Sequence, residues 1–397
     1  MTTIFIFSIC IIIFTILLGI LFDKRRTKAH KIKTDNKTKR RSTELPKQKK
    51  MTAISTNKNA SITKTAINST PHSMFDRCVA SLKGNNYPVS VCVNGKYGII
   101  AVSCNNGNLQ VYKIKKEGTN NIILTKKLDE VFSCIDIDKD ACHLIAVSEL
   151  YSTLRIFKIE TTENGIKNLH LTLNGRKELH KRNVKFLYVH NNSFILTGAE
   201  LDDTEVKLWN MKGELLKTLS IKQVYNHDYA ISKTPRFFGV ACWSADIKVF
   251  EIKLKENVFQ NIEKVIDLKT KSGTKCLCFS NNEEKAFLID KNGILAVYNL
   301  NIRYKLQEES KILYQKDLKE DNFEDFSRIC MSGEANHLIV ISGLHLIILK
   351  QENLQIVNKI INAHACEIFG VLPIPDSSLF LTWANDGYIK LWNISKI

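Results

Sequence analysis

Seven times along the chain, a short strand-forming run ends on an aromatic or bulky aliphatic residue. The runs occupy residues 109–112, 154–157, 206–209, 247–250, 295–298, 346–349 and 389–392, and they end at Tyr112, Phe157, Trp209, Phe250, Tyr298, Leu349 and Trp392. Successive ends lie 45, 52, 41, 48, 51 and 43 residues apart, a period that accommodates four short strands with their turns. Ahead of each run stand another β-rich stretch and a polar turn, as at Asn105, Asn106, Gly107 and at Asn385, Asp386, Gly387. A four-stranded sheet cannot bury both of its faces alone, so the copies must cover one another, and seven copies in a ring make an all-β, seven-bladed propeller. The seventh copy ends within three residues of Ile394 and is one strand short. A strand over residues 77–83, ahead of the first copy, has no repeat of its own, and the pattern predicts that it closes the ring as the missing fourth strand.

Upstream of the repeats the composition changes twice. Residues 4–22 are 19 consecutive residues without a charged side chain, enough at about 1.5 Å per residue to span a hydrocarbon core of about 30 Å. A cleaved leader would want a basic start and a small-residue cleavage site. Here Met1, Thr2 and Thr3 carry no side-chain charge, and Asp23, Lys24, Arg25, Arg26 follow directly. With every nearby cation on the C-terminal side, a single transmembrane α-helix is expected at 4–22, with the repeats in the cytosol.

Residues 23–73 are expected to form a disordered basic linker, because they offer almost nothing to bury, and residues 74–397 to form the propeller. Between residues 23 and 50 stand 13 Lys and Arg against 3 Asp and Glu, within a formal net charge of +17 for the whole chain. The basicity therefore belongs to the linker, not to the repeats. Lys24, Arg25, Arg26, Lys28 and Lys31 are candidate contacts with an anionic membrane surface.

The chemistry-bearing residues argue against catalysis. Nucleophile-elbow, phosphate-loop and zinc-protease motifs are missing from the sequence, so no enzymatic activity, metal or cofactor is expected. The eleven cysteines never stand as Cys-x-x-Cys, and they read as reduced core thiols of a reducing compartment. Cys276 and Cys278 share a strand face without a second pair at zinc spacing. His227 beside Asp228 is expected to make a buried hydrogen bond between strands. Asp317, Glu320, Asp321, Glu324 and Asp325 form an acidic cluster between the fifth and sixth repeats, a candidate docking loop for a basic partner and otherwise a solvated face. Five glycosylation sequons, at Asn36, Asn59, Asn68, Asn191 and Asn393, are expected to stay unmodified in the cytosol.

The repeats resemble the WD-repeat family, in which the third strand ends in Trp-Asp and the repeat opens near Gly-His. Here the ends are Trp209, Asn210 and Trp392, Asn393, and Ala363, His364 stands nearest to the opening. The stretch from Asp203 to Trp209, Lys212, Gly213, Glu214, Asn226, His227 and the run Ile302, Arg303, Tyr304, Lys305 resemble the membrane-anchored transducin beta-like branch of that family. That resemblance implies a non-catalytic, protein-binding scaffold of the endoplasmic-reticulum membrane, single-pass, with a cytosolic and monomeric propeller. It further implies a role in unfolded-protein stress signalling or translation control, with a stress kinase as partner and messenger RNA as another. Two alternatives are a small-GTPase exchange factor of the vesicle-budding type, whose membrane helix follows the propeller, and an RNA-binding adaptor using the linker, whose affinity would fall steeply with salt.

Overall fold

The computed structural model describes residues 78–396, apart from 84–85, 115–120, 129, 163–164, 176–177 and 335. Over these residues the chain forms seven antiparallel four-stranded sheets, with short 3-10 turns at Tyr304–Leu306, Lys319–Asp321 and Ile394–Lys396. The first strands of the blades line a central channel; they are Pro88–Asn94, Phe132–Ile137, Val184–His190, Asn226–Ile231, Thr274–Phe279, Phe326–Met331 and Ile368–Pro373. Blades one to six run outward in sequence order. The seventh takes its outer strand from the other end of the chain: Cys78–Lys83 pairs antiparallel with Tyr388–Asn393, placing Lys83 opposite Tyr388 and Cys78 opposite Trp392. Ring closure is thus as the repeat spacing predicts. The expected span at 4–22 and the linker at 23–73 lie outside the described residues. Among the described residues no helix is long and apolar enough to cross a membrane.

The blades share no common core. Buried apolar side chains fall into seven clusters, one between each pair of neighbouring blades. Blades seven and one meet through Leu381, Ile389 and Leu391 against Ile100, Val102 and Tyr112, and blades six and seven through Ile339, Ile341 and Ile348 against Phe380 and Trp392. A second strand is covered on both faces by adjacent blades, so Ile99–Cys104, Phe194–Ala199 and Phe237–Cys242 are buried at every residue and do not alternate. The outer strand Leu215–Ser220 faces solvent and is exposed or half-exposed throughout.

The seven repeat ends all lie on third strands and are all buried. Leu349 of blade six is as fully buried as the aromatic ends. Apolar volume is therefore what the position requires, at about 1.5–3 kcal/mol for each large side chain withdrawn from water. Cys92, Cys104, Cys134, Cys242, Cys276 and Cys278 are buried thiols, and burial pushes Cys134 up to about 12.

The terminal pairing carries a prediction. A chain beginning at Met74 keeps the closing strand and should melt with the full-length protein. A chain beginning at Asn85 loses the strand and its ladder of backbone hydrogen bonds, each worth about 1 kcal/mol net. Its thermal midpoint should fall by at least about 10 °C. Differential scanning fluorimetry of the two chains checks this, and equal midpoints would refute closure by this strand.

Candidate functional site

Antiparallel alternation sorts the loops into two faces. The turns between second and third strands, and the connections from each outer strand to the next inner strand, emerge together on what is here called the upper face. The other turns emerge on the lower face. On the upper face two blades are tied by the same chain of buried polar groups. In blade seven, the Trp392 indole N–H donates to Thr382 Oγ1 (2.8 Å), Thr382 meets His364 Nε2 (2.8 Å), and His364 Nδ1 meets Asp386 Oδ2 (2.9 Å).

The donors in that chain fix its protonation. Thr382 accepts from the indole and gives its own proton to Nε2, so the proton of a neutral His364 sits on Nδ1 and is donated to Asp386. Burial holds His364 below its ordinary value, consistent with the neutral ring. Asp386 also accepts the amides of Ala365 and Tyr388, and against the cost of burial these bonds and His364 keep its carboxyl below the usual range. The two loops of the upper face are thereby pinned to each other.

Blade three repeats the arrangement with Trp209, Thr197, His180 and Asp203. The indole donates to Thr197 at 2.9 Å, His180 Nε2 lies 2.9 Å from Thr197, and His180 Nδ1 faces Asp203 Oδ2 at 3.3 Å. Burial opposes ionisation of Asp203, but His180 and the amides of Lys181 and Glu205 hold it at about 2. In both blades a third-strand lysine adds a bond to the carbonyl just ahead of the histidine, Lys207 to Leu179 and Lys390 to Ala363.

This Trp-Thr-His-Asp tie, set in seven four-stranded blades, fits the resemblance read from the repeats. The chain is similar to the WD-repeat propellers. No family model matches it. Transducin beta-like protein 2 of Mus musculus is 24% identical over 285 residues, and that of Homo sapiens 25% identical over 283 residues. Each alignment covers 69% of this chain and 62% of the relative's own length.

Within this WD-repeat frame, the central channel encloses about 1430 Å³. Arg328 of blade six reaches past blade five to Asp228 of blade four, with 2.7 Å between Nη1 and Oδ1, and the other Asp228 oxygen accepts the Leu277 amide of blade five. Burial raises the Asp228 carboxyl and Arg328 draws it back. Asp136 is open to the channel but ringed by protein, and that burial pushes it up to about 7 despite the amides of Val189 and Ile137. Among the described residues no group of His, Cys, Asp and Glu could hold a metal ion.

The upper face also carries a belt of exposed apolar side chains over blades two to four. Leu150 is 76% exposed, Val224 59% and Tyr151 53%, and Leu201, Tyr225 and Trp243 are exposed in loops of the same face. The residues singled out from the sequence are distributed differently. The acidic cluster lies on this face in the connection from blade five to blade six, where buried Leu318 and Phe323 pin the loop. Glu320, Glu324 and Asp325 are exposed. Asp321 is half-buried and paired with Lys316 (3.1 Å) and Lys359 (3.2 Å), and Asp317 bonds the Lys319 amide, so the cluster presents about half of its charge outward. Lys24, Arg25, Arg26, Lys28 and Lys31 lie outside the described residues.

The expectation for His227 is corrected. It makes no strand-to-strand hydrogen bond: its ring packs against Trp243 with 5.0 Å between centroids, and Nε2 is buried without a partner. The interblade bond comes from its neighbour Asp228, because alternation along the inner strand turns Asp228 toward the channel.

Two outcomes test these networks. His364→Ala strands Thr382 and the Asp386 carboxylate and should cost about 3 kcal/mol in denaturant unfolding, whereas His170→Ala, at an exposed site, should cost under about 0.5 kcal/mol. For Asp136 the folded pKa lies above the ordinary 3.8, so its protonated form favours the fold. That contribution is complete below 3.8 and is lost as pH rises through about 7. Relative to Asp136→Asn, the wild-type thermal midpoint should therefore fall between about pH 5 and about 7.5; parallel pH profiles would contradict the assignment.

Proposed function

We propose that this chain is a non-catalytic scaffold that binds other proteins through the upper face of its propeller, held at the endoplasmic-reticulum membrane by residues 4–22 with the propeller in the cytosol. The observation that carries the binding half is the exposed belt of Leu150, Tyr151, Val224 and their neighbours. Several large apolar side chains exposed on one rigid, loop-built face are characteristic of a protein-interaction site. The membrane half is supported by the uncharged run at 4–22 and the cations that follow it. A place in stress signalling or translation control, with a stress kinase as partner, is what the resemblance to the transducin beta-like branch implies.

Proximity labelling with the full chain in cells, with and without folding stress, tests the reading. Cytosolic proteins near the endoplasmic reticulum should be labelled. Leu150→Glu combined with Val224→Glu should reduce their recovery about tenfold or more, since burying a charge at an interface core costs over about 1.4 kcal/mol, while leaving the thermal midpoint unchanged. Labelling of luminal proteins, or an unaltered set of partners in the double variant, would contradict it.

A further inference from the structure

Blades four to six form a second pocket of about 400 Å³ on the upper face. Its wall is Trp243, from the turn between the second and third strands of blade four, with 49% of the residue exposed. The Lys291 ammonium lies 3.2 Å from the indole centroid, His227 tilts against the same ring, and Tyr225 meets it edge-on at 6.3 Å. Gly273 makes this approach possible: a Cβ there would stand 2.4 Å from the Trp243 carbonyl oxygen and 2.9 Å from Lys291 Cε. The Lys291 amide in turn donates to the Gly273 carbonyl at 2.8 Å. Lys275 enters from the inner strand of blade five, and Phe326 and Ser327 from that of blade six.

The charges in this pocket are unbalanced. Among the described residues neither Lys275 nor Lys291 has a carboxylate partner. Two buried carboxylates adjoining the lining in sequence are committed elsewhere, Asp228 to Arg328 and Asp290 to the Ser272 hydroxyl and the amides of Asn292 and Ile294. Burial and then Lys291 and Lys275 hold His227 below its ordinary value, as uncompensated cations on a shared wall would. His227 Nε2 and Ser327 Oγ are both buried without a hydrogen-bond partner, so the lining has unused polar capacity. Directly before Phe326 in the chain stand Glu324 and Asp325, both exposed, so the loop that leads into the lining carries the opposite sign.

We propose that this pocket takes the carboxylate of an acidic side chain from a partner peptide whose neighbouring residues are basic and lie against the Glu324–Asp325 rim. The inference rests on the scaffold reading and gives it a partner chemistry. Two ammonium groups without a carboxylate partner, against an aromatic wall, bind a carboxylate by charge-assisted hydrogen bonds in a partly dry site, and the acidic rim selects the flanking residues. A nucleic acid fits less well: Lys291 and His227 already pack on the indole that would serve as a stacking platform, and exposed Glu320, Glu324 and Asp325 repel a continuous phosphate backbone.

The test uses the full chain in detergent micelles, read by tryptophan emission and by anisotropy of labelled probes. The probes are a synthetic twelve-residue peptide with two central glutamates flanked by lysines, its twin with glutamines, and a twelve-nucleotide oligouridylate. The glutamate peptide should bind and perturb emission. Its affinity should fall at least tenfold in Lys275→Gln/Lys291→Gln, and the glutamine twin should bind at least tenfold more weakly to the wild type. The thermal midpoint of the variant should not change. Equal binding of the two peptides, indifference to the lysine substitutions, no binding of the glutamate peptide, or preferential binding of the oligouridylate would each overturn the proposal. Failure here with cellular labelling still sensitive to Leu150 and Val224 overturns the pocket alone; labelling insensitive to those residues overturns the scaffold reading as well.

Discussion

The pairing of Cys78–Lys83 with Tyr388–Asn393 is the contact on which the rest of the molecule depends. A propeller has no single interior; it has seven interfaces arranged in a cycle, and each blade is buried only because both of its neighbours are in place. The terminal strand joins the two ends of the sequence across blade seven. Without it, Tyr388–Asn393 becomes a free edge, and the clusters on either side of blade seven lose the element that holds that blade in register. Closure also fixes the upper face, because loops that belong to different blades keep their spacing only if the ring cannot open.

The polar ties are a second and sparser layer. Among the described residues, only blades three and seven combine an indole, a threonine, a histidine and an aspartate in one chain. Where Phe157, Phe250 or Leu349 takes the tryptophan position there is no N–H to start such a chain, and the blade relies on apolar packing. Tyr112 and Tyr298 use their hydroxyls differently, bonding Gln110 and the Lys269 carbonyl. Lys248 of blade four still reaches the Ile221 carbonyl, as the corresponding lysines of blades three and seven reach theirs, though no histidine follows.

How much of this was legible in the sequence depended on how local each feature is. The seven third strands and the displaced fourth strand could be read because a strand ending on a buried residue recurs with every blade. His364 was visible because Ala363 precedes it much as a glycine would, but His180 follows Leu179, so its place in a tie was not, although it sits 29 residues before Trp209 much as His364 sits 28 before Trp392. The pocket at Trp243 could not be read at all: His227, Trp243, Lys275, Lys291 and Phe326 come from three blades and meet only through the ring. The acidic cluster was read as a block of charge, yet Lys316 and Lys359 neutralise Asp321, and Lys359 reaches it from the outer strand of blade six. His227 was assigned the bond that its neighbour Asp228 makes, since sequence alone does not say which of two adjacent strand residues turns to the channel.

A rigid upper face built of loops from every blade suits a protein that presents surface, and both the apolar belt and the cationic pocket lie there. That account stands on a closed ring, and native-state hydrogen exchange of the full chain measures closure most directly. If the terminal strand is integral, the amides of Cys78–Lys83 and of Tyr388–Asn393 will exchange together, at the slow rate set by global opening. Fast exchange of Cys78–Lys83 while Tyr388–Asn393 stays protected would show that the strand is dispensable and contradict the account.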